Sequence, residues 1–136
     1  FRSKNFVTYK ILDTALRIAK GEKLKLTMGR TDIQRDWGYA GEYVHAMWKM
    51  LQNTEFKDYV IASGTTLRLT DFIAEVFLQL DLNFMDYIET DKSLFRPHDI
   101  LYSRGNPIKA NNELNWEATY DLSDLVSKLL NGFRYK

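Results

Sequence analysis

The chain has 136 residues, 45% of them hydrophobic and 27% charged, which describes a folded globular domain and excludes a disordered or fibrous one. Nineteen basic against eighteen acidic side chains leave a net charge of +1, so no global field draws nucleic acid or an anionic membrane. With no cysteine there are no disulfides, thiolate zinc sites or cysteine nucleophiles, and two histidines, His45 and His98, exclude a three-histidine metal centre.

Positions 5–20 read as an amphipathic helix. Val7, Ile11, Ala15 and Ile18 keep helical spacing, Leu12, Leu16 and Ala19 widen the apolar face, and Gly21 is the expected terminator. Leu24 to Met28 alternates as a short half-buried strand. From Gly38 to Gln52 a second helix is expected, with Ala40, Tyr43, Val44, Met47, Trp48 and Leu51 as a stripe that faces the core. Tyr59-Val60-Ile61-Ala62 reads as a buried strand stopped by Ser63-Gly64. Leu69, Phe72, Ile73, Val76, Phe77 and Leu80 make a third helix, and Met85 to Thr90 a further strand. Asn106-Pro107 opens a short helix toward Trp116. Leu122, Leu125, Val126, Leu129 and Leu130 make the closing helix, capped by Asp121. The expected class is α/β: a small, mostly helical subdomain with a few short strands, whose sheet could complete a larger one elsewhere.

Several chemistries find no residues. Gly38 and Gly41 begin a dinucleotide-like spacing, but Val44 fills the third position and no buried strand precedes them. No tyrosine is followed four residues later by lysine, and no phosphate-binding loop, metal carboxylate pair or serine triad is visible. The N-terminal 30 residues hold eight basic side chains and two acids, which fits either a solvated helix face or a phosphate-bearing ligand. His45 is read as structural or solvent-facing, and His98 as a weak signal beside Pro97.

Two strings look like a site. In Arg35-Asp36-Trp37-Gly38, an arginine before a helix start can aim its fork at phosphate oxygens while Asp36 caps the helix; the plainer alternative is a solvated Arg35. In Phe95-Arg96-Pro97-His98-Asp99, proline stiffens the backbone that carries Arg96, and Asp99 can accept from a pair of sugar hydroxyls; the alternative is a surface loop with an incidental charge pair. Two arginines and a carboxylate suit a nucleoside diphosphate.

The strings Asn5 to Ile11, Gln34 to Gly38, Glu42 to Trp48 with Met50-Leu51-Gln52, Tyr59 to Gly64 and Phe95-Arg96-Pro97, followed by Gly105 to Ala110 and Leu114-Asn115-Trp116, resemble in order the C-terminal half of GDP-mannose 4,6-dehydratases, within the extended short-chain dehydrogenase/reductase family. The resemblance implies that residues 1–136 form the C-terminal nucleotide-sugar-binding domain. The glycine-rich Rossmann unit and the tyrosine–lysine pair would lie upstream of Phe1, whose place at the start in lieu of methionine suggests something removed. It further implies that Arg35 and Arg96 contact the substrate diphosphate, that Asp99, usually glutamate in these enzymes, binds ribose hydroxyls, and that Lys10 lies in the nucleotide-binding segment. Arg2 would touch NADP. The whole enzyme would convert GDP-mannose to GDP-4-keto-6-deoxymannose, as a homo-oligomer in the cytoplasm, where nucleotide sugars are made and to which the lack of a secretory signal also points. Tyr9, Arg30 and Tyr39 depart from the family pattern, Arg30 standing where asparagine is common. Another nucleotide-sugar epimerase, reductase or dehydratase of the same family, or a non-catalytic nucleotide-binding module, are the alternatives.

Overall fold

The computed structural model describes residues 6–134. The elements run α1 (Val7–Ala19), β1 (Leu26–Met28), β2 (Gln34–Asp36), α2 (Ala40–Leu51), β3 (Thr66–Arg68), α3 (Leu69–Leu78), β4 (Ile88–Thr90), α4 (Ile108–Leu114) and α5 (Leu122–Arg134). Short 3-10 turns at Phe84–Asp86 and Lys92–Leu94 flank β4. The α/β class, with helix far outweighing a few short strands, matches the expectation from sequence.

α1 forms because Ile11, Leu12, Ala15 and Ile18 bury one face. It ends where Gly21 adopts φ +91, a left-handed conformation that glycine takes without a Cβ clash. There Gly21 N donates to Ile18 O at 2.8 Å and Glu22 N to Arg17 O at 3.1 Å, the paired bonds that satisfy the last carbonyls of a helix. α3 packs against both α1 and α5. Phe72, Phe77, Ile73, Val76, Leu12 and Val126 are fully buried in this cluster, each contributing about 1.5–3 kcal/mol relative to exposure. Asp121 Oδ1 accepts from Asp124 N at 2.8 Å, the expected cap of α5.

Two small sheets lie beside the helices. β1 pairs with β4 in parallel, Leu26 opposite Ile88 and Met28 opposite Thr90. β2 pairs antiparallel with β3, Arg35 opposite Leu67. On its other edge Gln34 N donates to Leu101 O at 2.7 Å and Ser103 N donates back to Gln34 O at 3.1 Å. β2 is thus held between β3 and residues 101–103.

A second, smaller core joins α2 to α4 through Ala46, Ala110, Leu114 and Trp116, with Tyr43, Met50, Tyr59 and Ile61 against it. Three expectations fail here. Tyr59–Ala62 forms no strand and joins no sheet. A strand needs a ladder partner, and this run finds none among the described residues. The stripe on α2 is not core, for Ala46 alone is buried on that helix, and Val44, Met47, Trp48 and Leu51 are each more than half exposed. α2 is apolar on two sides, and only the side bearing Tyr43, Ala46 and Met50 meets α4. Asp36, finally, does not cap α2. It lies in β2, the N-cap is Tyr39, and no side chain bonds to the first turn at that position.

Candidate functional site

The placement of β2 between β3 and residues 101–103 brings Arg35 to the loop that carries Asp99. Arg35 Nη2 donates to Asp99 Oδ1 at 3.2 Å, and Nη1 donates to Gln34 O at 2.8 Å. The two side chains are 28% and 18% exposed, so the pair is partly shielded yet reachable. Arg96 sits on the same loop, whose turn closes through Asp99 N donating to Arg96 O at 3.3 Å. Arg96 itself is exposed, and among the described residues its guanidinium has no hydrogen bond or ion pair. Of Arg35, Arg96 and Asp99, the first and last therefore touch, and Arg96 stands on the turn that holds Asp99. His98 is exposed in this turn as well.

Lys10 lies at the neighbouring edge. From α1 its Nζ donates to Thr27 O at 2.5 Å, tying the helix to β1. Its charge reaches Asp91, whose carboxyl is held below the usual range first by its hydrogen bonds to Ser93 and in small part by Lys10. Asp91 heads the stretch that leads to Arg96 and Asp99. The proposed cofactor contact at Arg2 lies outside the described residues.

Asp36 does work that the sequence does not reveal. Side chains alternate along a strand, so Asp36 projects away from the Arg35 face. Its Oδ1 accepts from Ser63 N at 2.8 Å and its Oδ2 from Gly64 N at 2.9 Å, while the Tyr43 hydroxyl donates to Oδ1 at 3.3 Å. One carboxylate thus joins β2, α2 and the 63–64 turn, where Gly64 takes φ +77. The tyrosine's pKa is pushed up to about 12, chiefly by burial and then by the negative charge of Asp36. Gly38 is required beside it, because a Cβ there would overlap the Tyr43 hydroxyl. Glu42 makes a second such lock: its Oε1 accepts from Thr119 N at 2.6 Å and from the Thr119 hydroxyl at 2.8 Å. The only sequence signal for either lock is an acid next to a helix start, which reads equally well as a cap.

Trp37 stacks on Phe72 at 4.8 Å and donates from Nε1 to Leu67 O at 3.3 Å, which fixes the strand end to α3 and β3. It also lines a cleft of about 550 Å3 with Ser63, Thr65, Leu67, Glu75 and residues 118–123. Arg35, Arg96 and Asp99 are not among its lining residues. His45 is exposed and stacks on Trp48 at 5.9 Å, outside the pair's surroundings. No group of three acids or histidines that could hold a metal occurs among the described residues.

The arrangement offers a guanidinium with an exchangeable partner, a carboxylate able to accept from paired hydroxyls, and a second free guanidinium on the adjoining turn. The fold that carries it is that of the extended short-chain dehydrogenase/reductase enzymes. RMD from Pseudomonas aeruginosa, solved with NADPH, superposes with a TM-score of 0.86 at 17% identity, over 98% of this chain and 43% of its own. UDP-glucose 4-epimerase from Bifidobacterium longum, solved with NAD+ and UDP, gives 0.77 at 17% identity, over 98% and 40%. The chain belongs to the GDP-mannose 4,6-dehydratase family, whose model matches residues 1–129. GDP-mannose 4,6 dehydratase 1 of Arabidopsis thaliana is 38% identical over 129 residues, 95% of this chain. The chain spans 36% of that relative's length.

Proposed function

We propose that this chain is the C-terminal nucleotide-sugar-binding portion of a GDP-mannose 4,6-dehydratase, a lyase that converts GDP-mannose to GDP-4-keto-6-deoxymannose with bound NADP. The observation that carries the reading is the Arg35–Asp99 pair at 3.2 Å, with Arg96 on the adjoining turn. In this reading Arg35 and Arg96 grip the diphosphate, Asp99 accepts from the ribose hydroxyls, and Lys10 lies toward the base. Such grip is remote binding energy, which places the hexose for chemistry carried out by other residues.

The fit to the cofactor is poor within this chain. Among the described residues there is neither a glycine-rich phosphate cradle nor a tyrosine with lysine four positions on, so no step of the redox chemistry is assigned to it. A Rossmann unit elsewhere in the enzyme would supply both. Two features suit such a neighbour. The Val44, Met47, Trp48 and Leu51 face of α2 is a contiguous apolar surface, and Tyr59–Ala62 joins no sheet among the described residues.

The test is product formation by the whole expressed protein given GDP-mannose and NADP. GDP-4-keto-6-deoxymannose should appear, and the 136-residue chain alone should form none. Preference for a UDP, CDP or dTDP sugar would replace this reading by the second one, another nucleotide-sugar enzyme of the same fold. The feature that favours that alternative is Arg30, which the resemblance sets against a family asparagine and which lies on the link between β1 and β2, the strand of Arg35.

A further inference from the structure

Arg30 is absent from the ligand set just described, yet the backbone wedges it between the two segments that supply that set. A Cβ on Gly29 would lie 2.9 Å from Leu94 O, so only a glycine lets the end of β1 rest against the residue before Phe95-Arg96-Pro97. Asp91 N donates to Met28 O at 2.8 Å and continues the same contact. On the far side, the Thr70 hydroxyl donates to Thr31 O at 2.9 Å and Leu69 N to Ile33 O at 2.9 Å. These bonds anchor residues 31–33 on the start of α3 and deliver the chain into β2. Arg30 therefore stands on a short link pinned at both ends, with the Arg96 loop on one side and Arg35 on the other.

The side chain is held as well. Asp32 accepts from Nε at 3.0 Å and from Nη2 at 2.7 Å, a two-point fork that fixes the guanidinium plane. Among the described residues Nη1 has no partner, so it remains as a donor. The hydrogen bonds that Arg30 donates to Asp32 raise its pKa, and the charge of Asp99 adds to that shift. Asp99 is thus electrostatically within reach of Arg30 while bonded to Arg35. The Arg17–Glu22 pair has the same Nε and Nη2 fork without any group of the site as a neighbour, and serves as a built-in comparison.

We propose that Arg30, oriented by Asp32, is a third guanidinium of the nucleotide-sugar site: it presents Nη1 to the diphosphate and keeps a cation beside Asp99 when Arg35 turns from that carboxylate to the ligand. The inference rests on the reading of Arg35 and Asp99 as ligand-binding residues. Its physical basis is charge balance. A diphosphate that draws Arg35 away would otherwise leave Asp99 as an unpaired, partly buried anion beside an incoming anion.

The experiment uses the whole expressed protein with GDP as probe by calorimetry, and KM and kcat for GDP-mannose alongside. Arg30→Gln should weaken GDP about tenfold and raise KM by a similar factor, the low end for one charged hydrogen bond, with kcat within about twofold. Asp32→Asn, which loosens the fork but keeps the cation, should give a smaller loss. Arg30→Lys should recover part of the affinity, and Arg17→Gln should change nothing. Thermal melts guard against misfolding, and the Arg30 and Asp32 side chains are both exposed enough for these variants to remain folded. Unchanged GDP affinity in Arg30→Gln, with a clear loss in Arg35→Gln, overturns this inference alone. No loss in either variant overturns the site reading and the inference with it. A loss in Arg17→Gln equal to that in Arg30→Gln reduces the effect to general charge and also overturns it.

Discussion

Replacing Arg35 by glutamine separates two quantities that the geometry sets at different sizes. In the free protein its guanidinium holds Gln34 O at 2.8 Å and Asp99 at 3.2 Å, the latter long for a charged pair. With both side chains partly open to water, the pair contributes at most about 1 kcal/mol to folding. The melting temperature should therefore fall only slightly. Binding should respond far more, because a charged hydrogen bond to phosphate is worth about 1.5–3 kcal/mol. At about 1.4 kcal/mol per factor of ten, GDP should bind between about tenfold and a hundredfold more weakly. Arg35→Lys should regain less than half of that free energy, since an ammonium keeps the charge and loses the planar fork. Titration calorimetry with GDP, paired with thermal melts, measures both quantities. A glutamine variant whose GDP affinity lies within about twofold of the wild type would refute the diphosphate assignment.

Asp36→Ala should cost about 2–4 kcal/mol by chemical denaturation, since it strips two backbone amides and one hydroxyl of their charged acceptor; a loss below about 1 kcal/mol would contradict the described lock. Tyr43 is charged when deprotonated, and its folded pKa is pushed up to about 12 from the ordinary 10.0. The folded state thus keeps a proton that the unfolded chain gives up, so stability present below pH 10 should decline as pH climbs toward 12. Tyr43→Phe should flatten that decline in denaturation midpoints taken across the window, and identical slopes would contradict it. Trp48→Glu should destabilise the whole expressed protein by about 2 kcal/mol or more if a neighbour covers the α2 face, and change the 136-residue chain by under about 0.5 kcal/mol. Equally small shifts in both would mean that nothing covers that face.

The helices were legible because their side chains repeat at the helical period: α1, α3 and α5 occur where the apolar spacing of Ile11, Phe72 and Val126 places them. β2 and β3 were not. Gln34-Arg35-Asp36 is wholly polar and Thr66-Leu67-Arg68 carries a single apolar residue, so their pairing rests on backbone ladders that such short runs do not advertise. Tyr59–Ala62 misled in the opposite direction, having the composition of a strand without a partner edge in the described chain. The α2 stripe has a core's periodicity, but periodicity says which residues share a face and not whether anything covers it. In the candidate site, Arg35, Arg96 and Asp99 were visible as charges on stiff backbone, whereas the contact of Arg35 with Asp99 across 64 positions required the fold. Asp36 was misplaced because an acid before a helix normally caps it, and its actual partners lie at residues 63 and 64.

The parallel pairing of β1 with β4 bears on how the molecule is made. Leu26 to Met28 are synthesised well before their partners Ile88 to Thr90 and before the loop bearing Asp99. Closing so long a loop has to precede any reward from the ladder, which makes such pairings late and slow. A nascent polypeptide halted before β4 would carry Arg30 and Arg35 with neither a completed sheet nor the Asp99 carboxylate. On the proposed reading of the site, ligand affinity would then arise in one step once the Asp99 loop has emerged, and the unfinished polypeptide would be a client for chaperones until that point.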